Sequence, residues 1–211
     1  MTVTRLPQSL EPSVDHRPAL RVIRGGVTID LDAAERAVAD LLLALGQDPQ
    51  AEHSRETPRR VAAAYAELLT PREFTLTTFP NDEGYDELVV ARDIPFHSLC
   101  EHHMLPFKGV AHVGYLPGER ILGLSKLARV VELFARGLQV QERLTKQVAD
   151  WLEEALQPKG VGVVVEAEHL CMSLRGVQAR GSVTVTSALH GVLRDDPRSR
   201  SEFFSLTGVR A

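Results

Sequence analysis

The sequence is poor in cysteine, in long hydrophobic runs and in features of an export signal. Only 2 cysteines occur among 211 residues, which is too few for a disulfide framework. The first 24 residues contain no apolar segment of the kind that directs secretion, and no stretch reaches the roughly eighteen apolar residues of a membrane span. We therefore expect a soluble protein of the cytoplasm, with free thiols and no membrane partner.

The chain also lacks a strong excess of charge of either sign. Its formal net charge is -4, and a protein with this balance does not coat nucleic acid. Any anionic ligand must therefore be captured by a local basic pocket. Hydrophobic residues at 44% and charged residues at 25% are ordinary values for a globular chain, so we expect one main domain with short appendages.

Three regions are predicted along the chain. Residues 1–27 show no hydrophobic periodicity and are predicted to form a flexible N-terminal arm. Residues 28–70 carry two amphipathic helical patterns and are predicted to be an N-terminal helical region. Asp32 is a candidate N-cap of the first helix, and Thr57 is a candidate N-cap of the second, with Pro58 at the first helical position. Residues 71–211 are predicted to form the main domain.

The main domain combines strand and helix patterns without a repeated βαβ unit. We interpret residues 74–83 as a loop. The predicted strands span residues 87–94, 109–115, 161–165 and 182–187, and the predicted helices span residues 124–135 and 140–155. This order predicts an α+β fold, in which helices pack on one face of a largely antiparallel sheet.

Both cysteines lie close to histidines. One motif is Cys100-Glu101-His102-His103, and the other is His169-Leu170-Cys171. A thiolate and an imidazole three residues apart can reach one ion from a tight turn, and this mixture of donors is typical of zinc. A set of two cysteines and one histidine would leave a position open for water. A free cysteine is also often a small buried hydrophobe, so the spacing alone leaves metal binding and core packing both open.

A second informative stretch precedes one of the predicted helices. Ser125 is a candidate N-cap, so Lys126 and Arg129 would project from the first helical turn, where phosphate groups are favoured. A solvated polar helix face explains the same pattern. Glu142 in the next helix and Arg175 after the second cysteine are ambiguous in isolation.

Taken together, the motifs resemble those of the zinc-dependent GTP cyclohydrolase I family. They occur in the family's order between about residue 32 and residue 204, which makes the set far more specific than any single motif. The matching segments are Thr57-Pro58-Arg59-Arg60-Val61, Ser98-Leu99-Cys100-Glu101-His102-His103, Gly123-Leu124-Ser125-Lys126 with Arg129, Gln139-Val140-Gln141-Glu142-Arg143-Leu144, and His169-Leu170-Cys171-Met172 with Arg175-Gly176-Val177.

The resemblance implies an architecture and an activity. The architecture is the tunnelling fold, in which antiparallel sheets of several subunits join into a barrel with helices outside. The assembly would be a homodecamer of two pentameric rings, with active sites at subunit interfaces. The activity is conversion of GTP and water to 7,8-dihydroneopterin triphosphate and formate, the first step of folate and pterin biosynthesis.

The resemblance also implies a role for each matching residue. One Zn2+ per subunit would be held by Cys100, His103 and Cys171, and would activate the water that attacks C8 of guanine. His102 would act as general acid, and His169 would assist proton transfer. The remaining roles are contact with the ribose by Ser125, with the triphosphate by Lys126, Arg129, Arg175 and Arg60, and with guanine by Glu142 and Gln141.

Two other interpretations account for part of the pattern. A pterin synthase of the same fold holds zinc through three histidines, which the mixed cysteine and histidine set disfavours. A non-catalytic zinc-stabilised binding module would usually need a fourth protein ligand, and the sequence offers no third cysteine. Release of formate from GTP would distinguish the enzyme from the binding module.

Overall fold

A computed structural model describes residues 21–22 and 28–209 of the chain. The predicted N-terminal arm, residues 1–27, lies outside these residues except for β1 (Arg21–Val22), whose backbone pairs antiparallel with β2 (Phe74–Thr75). Within the described residues, no helix combines the length and the apolar character that crossing a membrane requires.

Two helices precede the sheet. The helix α1 (Leu31–Ala44) is capped by Asp30, whose carboxylate accepts a hydrogen bond of 2.9 Å from the Ala33 amide. The cap is therefore Asp30 and not the predicted Asp32, which lies in the first turn of the helix. The helix α2 (Thr57–Leu69) has Pro58 in its first turn as predicted, because proline needs no amide partner there, but its N-cap is Glu56 and Thr57 is the first helical residue.

A sheet of five strands forms the body of the protein. Its antiparallel members are β4 (Val89–Cys100), β5 (Pro106–Leu116), β8 (Gly160–His169) and β9 (Thr184–Gly191), and the two-residue strand β7 (Leu138–Gln139) runs parallel to β4. The order across the sheet is β7-β4-β5-β8-β9. The predicted α+β architecture with a largely antiparallel sheet is confirmed.

The segment predicted as a loop, residues 74–83, contains more structure than expected. It includes β2 and a second short strand, β3 (Thr78–Pro80), which pairs antiparallel with β6 (Arg120–Leu122). Strands of two or three residues are too short to show an alternating hydrophobic pattern, so they could not be predicted from the sequence.

Two helices cover one face of the sheet and form the main core with it. They are α3 (Ser125–Ala135) and α4 (Gln141–Leu156). Because side chains alternate along a strand, the odd-numbered valines of β8 face these helices. The core residues include Leu127, Val130, Leu144, Val148, Leu152, Val161, Val163 and Val165.

The opposite face carries the C-terminal helices, which the prediction of helices on a single face did not include. These are α6 (Val192–Asp195) and α7 (Pro197–Thr207). Phe203 of α7 packs where two strands have glycine: a Cβ at Gly162 would lie 2.7 Å from its ring, and one at Gly114 would lie 2.9 Å away. The prediction of a single helical face is therefore corrected. Helix α7 is rich in arginine and serine, which hid its short apolar face.

Candidate metal centre and active site

The turn between β4 and β5 carries the first cysteine and both adjacent histidines. The amide of Cys100 donates to the carbonyl of Leu105 at 2.8 Å, and the amide of Met104 donates to the carbonyl of Cys100 at 2.8 Å. Met104 adopts a φ of 54°, in the left-handed region that side chains disfavour. This tight closure places Cys100, His102 and His103 at one end of the sheet.

The second cysteine reaches the same end of the sheet through β8. This strand is followed directly by the short helix α5 (Leu170–Ser173), which contains Cys171. Phe107 at the start of β5 pairs in register with His169 at the end of β8. The antiparallel register therefore brings the two cysteine motifs together, which their separation in sequence alone could not establish.

The three predicted metal ligands form one cluster. The sulfurs of Cys100 and Cys171 and a ring nitrogen of His103 all lie within 4.8 Å of one another. His103 Nδ1 is 3.6 Å from the Cys100 sulfur. Both thiols are buried and the imidazole is exposed, so the cluster has buried sulfur donors and an open side. Two sulfurs and one nitrogen fit a Zn2+ site that keeps a coordination position for water.

The pKa of the Cys171 thiol depends on its surroundings. Burial, and then the adjacent sulfur of Cys100, raise the pKa of the Cys171 thiol. A divalent cation favours the thiolate form of a cysteine, so binding of a metal to this pair is coupled to the release of protons.

His102 lies beside the cluster but is not a member of it. Its Nδ1 is 3.9 Å from the Cys100 sulfur, and its ring meets that of His103 edge-on at a centroid distance of 6.2 Å. His102 is exposed. Its predicted role in proton transfer stays a prediction, as does its exclusion from the ligand set.

His169 is held by two contacts at the end of β8. Its ring stacks on Phe107 with a centroid distance of 4.7 Å and an interplanar angle of 5°, and its Nε2 is 2.8 Å from Oε1 of Gln141. Burial lowers the pKa of His169, while the charge of Glu142 acts in the opposite direction. The half-buried ring is therefore favoured in its neutral form.

Gln141 is buried, and its side-chain amide is fully engaged inside the chain. Its Nε2 donates to the carbonyls of Val165 and Thr184 at 3.0 and 2.9 Å, and lies 3.2 Å from the Thr186 hydroxyl. Contact between Gln141 and a substrate stays a prediction. Such a contact would require one of these hydrogen bonds to be replaced. The sequence had no signal for the link to His169, since the two residues are 28 positions apart.

The predicted phosphate site at the start of α3 differs in detail from expectation. Ser125 is the first helical residue and makes no capping bond, so its prediction as the N-cap is wrong. The amide of Lys126 donates to the carbonyl of Gly123 at 2.8 Å. Arg129 lies 3.2 Å from Glu132, which neutralises part of its charge. Lys126 is half-buried and Ser125 is exposed.

The other predicted substrate contacts are exposed in the single chain. Arg60 lies on the outer face of α2, Glu142 lies in the first turn of α4, and Arg175 follows α5. The charge of Arg175 acts to lower the pKa of Cys171, which indicates that it is near the cluster. Among the described residues, no hydrogen bond or ion pair joins Arg60 or Lys126 to the cluster, and these two predictions remain untested.

Comparison with known proteins agrees with the resemblance seen in the sequence. Residues 34–208 match the family model described as GTP cyclohydrolase I. A GTP cyclohydrolase 1 of Streptomyces avermitilis is 55% identical over 188 residues, which cover 86% of this chain and 92% of that protein. A GTP cyclohydrolase 1 of Aquifex aeolicus is 52% identical over 180 residues, which cover 85% of this chain and 98% of that protein.

A third relative and one solved structure complete the comparison. The GTP cyclohydrolase 1 of a Synechococcus species is 52% identical over 186 residues, covering 86% of this chain and 81% of that protein. The crystal structure of an archaeosine synthase overlaps 49% of this chain and 93% of its own chain, at a TM-score of 0.41 and 19% identity. That structural likeness is too low to inform the fold or the function.

Proposed function

This chain belongs to the GTP cyclohydrolase I family, and from that premise we propose how its own residues carry out the conversion of GTP to 7,8-dihydroneopterin triphosphate and formate. The family match and the identities above half support GTP conversion in the biosynthesis of pterins and folate. The observation that carries the proposal is the cluster of Cys100, His103 and Cys171, whose donor atoms lie within 4.8 Å of one another.

The metal we assign to this cluster is one Zn2+ per chain. The donor set supports this choice, because two thiolates and one imidazole suit zinc better than the harder cations that prefer oxygen. When bound, zinc supplies Lewis-acid activation of water near neutral pH. Burial of the two sulfurs and exposure of His103 leave one side of the site accessible to a substrate.

Two histidines outside the ligand set move protons in our proposal. His102 is exposed and adjacent to the cluster, so it donates a proton to the purine nitrogen that is released when the imidazole ring of guanine opens. His169 is held by Gln141 and Phe107 and is favoured as neutral imidazole. A neutral ring fixed in this way accepts a proton or orients the attacking water.

The substrate is oriented by charged side chains at its two ends. Glu142 accepts hydrogen bonds from N1–H and the 2-amino group of guanine. Ser125 contacts the ribose during the later rearrangement and ring closure. The triphosphate is held by the cationic side chains of Lys126, Arg129, Arg175 and Arg60. Fixing both ends of the nucleotide positions C8 at the metal centre, which removes much of the entropic cost of the reaction.

We propose that the active protein is a homodecamer of two pentameric rings in the cytoplasm. Several side chains assigned to substrate binding are exposed in the single chain, which supports a site that is completed by a neighbouring subunit. Among the described residues, the strand β9 is the last strand of the sheet and pairs with β8 on one side, so its outer edge is suited to pairing with another chain.

The direct test is incubation of the zinc-loaded protein with GTP. Formate is measured in the solution, and the pterin product is detected by fluorescence after oxidation and dephosphorylation. We expect both products to form in equal amounts, and none with adenosine triphosphate. Absence of both products from protein that contains one zinc per chain would contradict the proposed function.

A further inference from the structure

We propose that Arg143 and Glu101 are positioning residues that hold the metal-binding turn in the geometry the ion needs. Neither residue is one of the three metal ligands, and neither is assigned a contact with the substrate. The inference rests on the proposed function, because it concerns the geometry of the zinc site. It is carried by a network of hydrogen bonds that joins the turn to the start of α4.

Glu101 lies within the turn, directly after one ligand and two residues before another. Its carboxylate forms an ion pair of 2.6 Å with Arg143. Its backbone amide donates to the carbonyl of Gln139 at 2.9 Å. Both the side chain and the main chain of this residue are therefore fixed, and the ligands Cys100 and His103 lie on either side of it.

Arg143 is itself held in place by β7. Its Nε donates to the side-chain oxygen of Gln139 at 2.7 Å, and its Nη2 donates to the carbonyl of Leu138 at 2.9 Å. The guanidinium group therefore presents a fixed donor to Glu101. A planar group with several donors is suited to such bridging, which a lysine could not reproduce.

The far end of the network is buried. Gln139 is 1% exposed, and its Nε2 donates to Phe134 at 3.0 Å and to Gln147 at 2.7 Å. This strand also pairs with the end of β4, where Cys100 is opposite Gln139. A continuous set of bonds thus runs from the core of the protein to the turn that carries two of the three ligands.

An ordinary surface ion pair is the alternative explanation. The side chains of Arg143 and Glu101 are 41% and 45% exposed, and exposed pairs contribute little to stability. The difference here is that the guanidinium of Arg143 has further bonds to β7, and the backbone amide of Glu101 is bonded to the carbonyl of Gln139. The pair therefore acts on the local geometry of the turn more than on the stability of the whole chain.

The test is the zinc affinity of the full-length protein, measured by competition with a chromophoric chelator. The variants are Glu101→Ala, which preserves the backbone bond to Gln139, and Arg143→Ala. The control is Lys146→Ala, which removes an ion pair of the same length, 2.6 Å, to Asp150 on the same helix but away from the turn. Loss of a residue that orients metal ligands typically weakens metal binding by about tenfold to a hundredfold.

We expect both Glu101→Ala and Arg143→Ala to bind zinc about tenfold more weakly than the wild type, with Lys146→Ala unchanged. The double variant should have the same zinc affinity as the single variant that binds zinc more weakly, because both changes break the same ion pair. With saturating zinc, the kcat of Glu101→Ala should return to within about threefold of the wild type. A merely structural role would lower thermal stability and leave zinc affinity unchanged.

Zinc affinities of both single variants within about twofold of the wild type would overturn the inference, since typical losses are far larger. If Arg143→Ala does not fold, Glu101→Ala decides the question alone, because Glu101 is exposed and its change leaves the core intact. These outcomes are distinct from failure of the proposed function. Wild-type protein that binds zinc but forms no formate from GTP would contradict that function without affecting the assignment of Glu101 and Arg143.

Discussion

The imidazole of His169 and the amide of Gln141 meet at 2.8 Å at the end of β8. The orientation of this amide is set by its nitrogen, which donates to the carbonyls of Val165 and Thr184. Its oxygen must therefore be the atom that faces His169, so Nε2 of the ring carries the proton. Nδ1 of the neutral ring is then left as the acceptor, which is the state that a proton-transfer role requires.

This relationship predicts a specific kinetic defect in Gln141→Leu. The substitution nearly preserves the volume of the buried side chain, but it removes the oxygen that orients His169 together with the nitrogen that donates to Val165 and Thr184. We expect kcat for GTP to fall by roughly tenfold to a hundredfold, in line with loss of acid–base assistance, and KM to change little. Steady-state kinetics on the zinc-loaded protein provide the measurement.

The matched control is Thr186→Val, which removes one acceptor of the Gln141 nitrogen and leaves the contact with His169 intact. It should retain nearly full kcat. If Gln141 contacts guanine directly, as the family resemblance implies, Gln141→Leu would instead raise KM and change the preference between nucleotides. That result would replace a positioning role with direct binding.

The metal assignment predicts that Cys100→Ser and Cys171→Ser lose zinc and activity together. A serine hydroxyl is a poor ligand for zinc, and a set of two remaining donors cannot hold the ion tightly. Zinc content per chain, measured by atomic emission after gel filtration, should fall from about one to near zero. Ser173→Ala is the control, because Ser173 lies in the same short helix but is not part of the donor cluster. A Cys171→Ser protein that keeps one zinc per chain would exclude this ligand set.

A third prediction separates the two adjacent histidines. His102→Ser should keep its zinc, because His102 is not part of the cluster of donor atoms, but should lose on the order of a hundredfold in turnover. His103→Ser should lose zinc. Metal analysis and formate release on both variants test the assignment, and loss of zinc from His102→Ser would show that the roles of the two histidines are exchanged.

How far the sequence predicted this site depends on the range of the interactions. The motif around Cys100 is local, so the spacing of thiol and imidazole indicated that one ion could be shared, but it left core packing open as well. The approach of Cys171 depends on the pairing of Phe107 with His169. Strand register is set by the whole sheet, and no local pattern encodes it. The family resemblance pointed to Cys171 as the third ligand, and the strand register explains how Cys171 comes near Cys100.

The same difference between local and long-range interactions decides which parts of the fold could be predicted. Helices α3 and α4 have clear apolar stripes because they pack on the sheet, and their positions were predicted to within a few residues. Helix α7 packs mainly through Phe203 against Gly114 and Gly162. A contact made by one aromatic ring and two distant glycines leaves no periodic signal. The same holds for the Glu101–Arg143 pair, whose members are 42 positions apart.

The fourth prediction concerns assembly. Helix α1 has no buried residue in the single chain, and Leu41, Leu43 and Leu45 are 56%, 59% and 65% exposed. This exposed apolar surface, together with the edge of β9 that no strand of the described residues covers, favours association with partner chains. Sedimentation should therefore give a particle many times heavier than 23.2 kDa. A fully active protein that sediments as a monomer would refute both the decamer and an active site shared between subunits.

The last prediction concerns the choice of nucleotide, which we assign to Glu142. Its carboxylate offers two acceptor oxygens to the adjacent N1–H and 2-amino donors of guanine. Glu142 is exposed in the single chain, so strong discrimination requires closure of the site by a neighbouring subunit. In a closed site, inosine triphosphate would leave one carboxylate oxygen without its donor. Such a loss costs about 1–3 kcal/mol, which corresponds to discrimination of roughly tenfold to a hundredfold in kcat/KM.

The comparison is made on the wild type, Glu142→Gln and Lys126→Ala with GTP and inosine triphosphate. Glu142→Gln should reduce the preference for GTP, because an amide presents only one acceptor to the two donors of guanine. Lys126→Ala should weaken the binding of both nucleotides equally, since the ammonium group of Lys126 contacts only phosphate in our proposal. If Glu142→Gln keeps the full preference while Lys126→Ala changes it, the guanine and phosphate assignments are wrong. If the wild type itself shows no preference, the Glu142 carboxylate stays solvated during the reaction, and specificity for guanine must arise elsewhere in the assembled site.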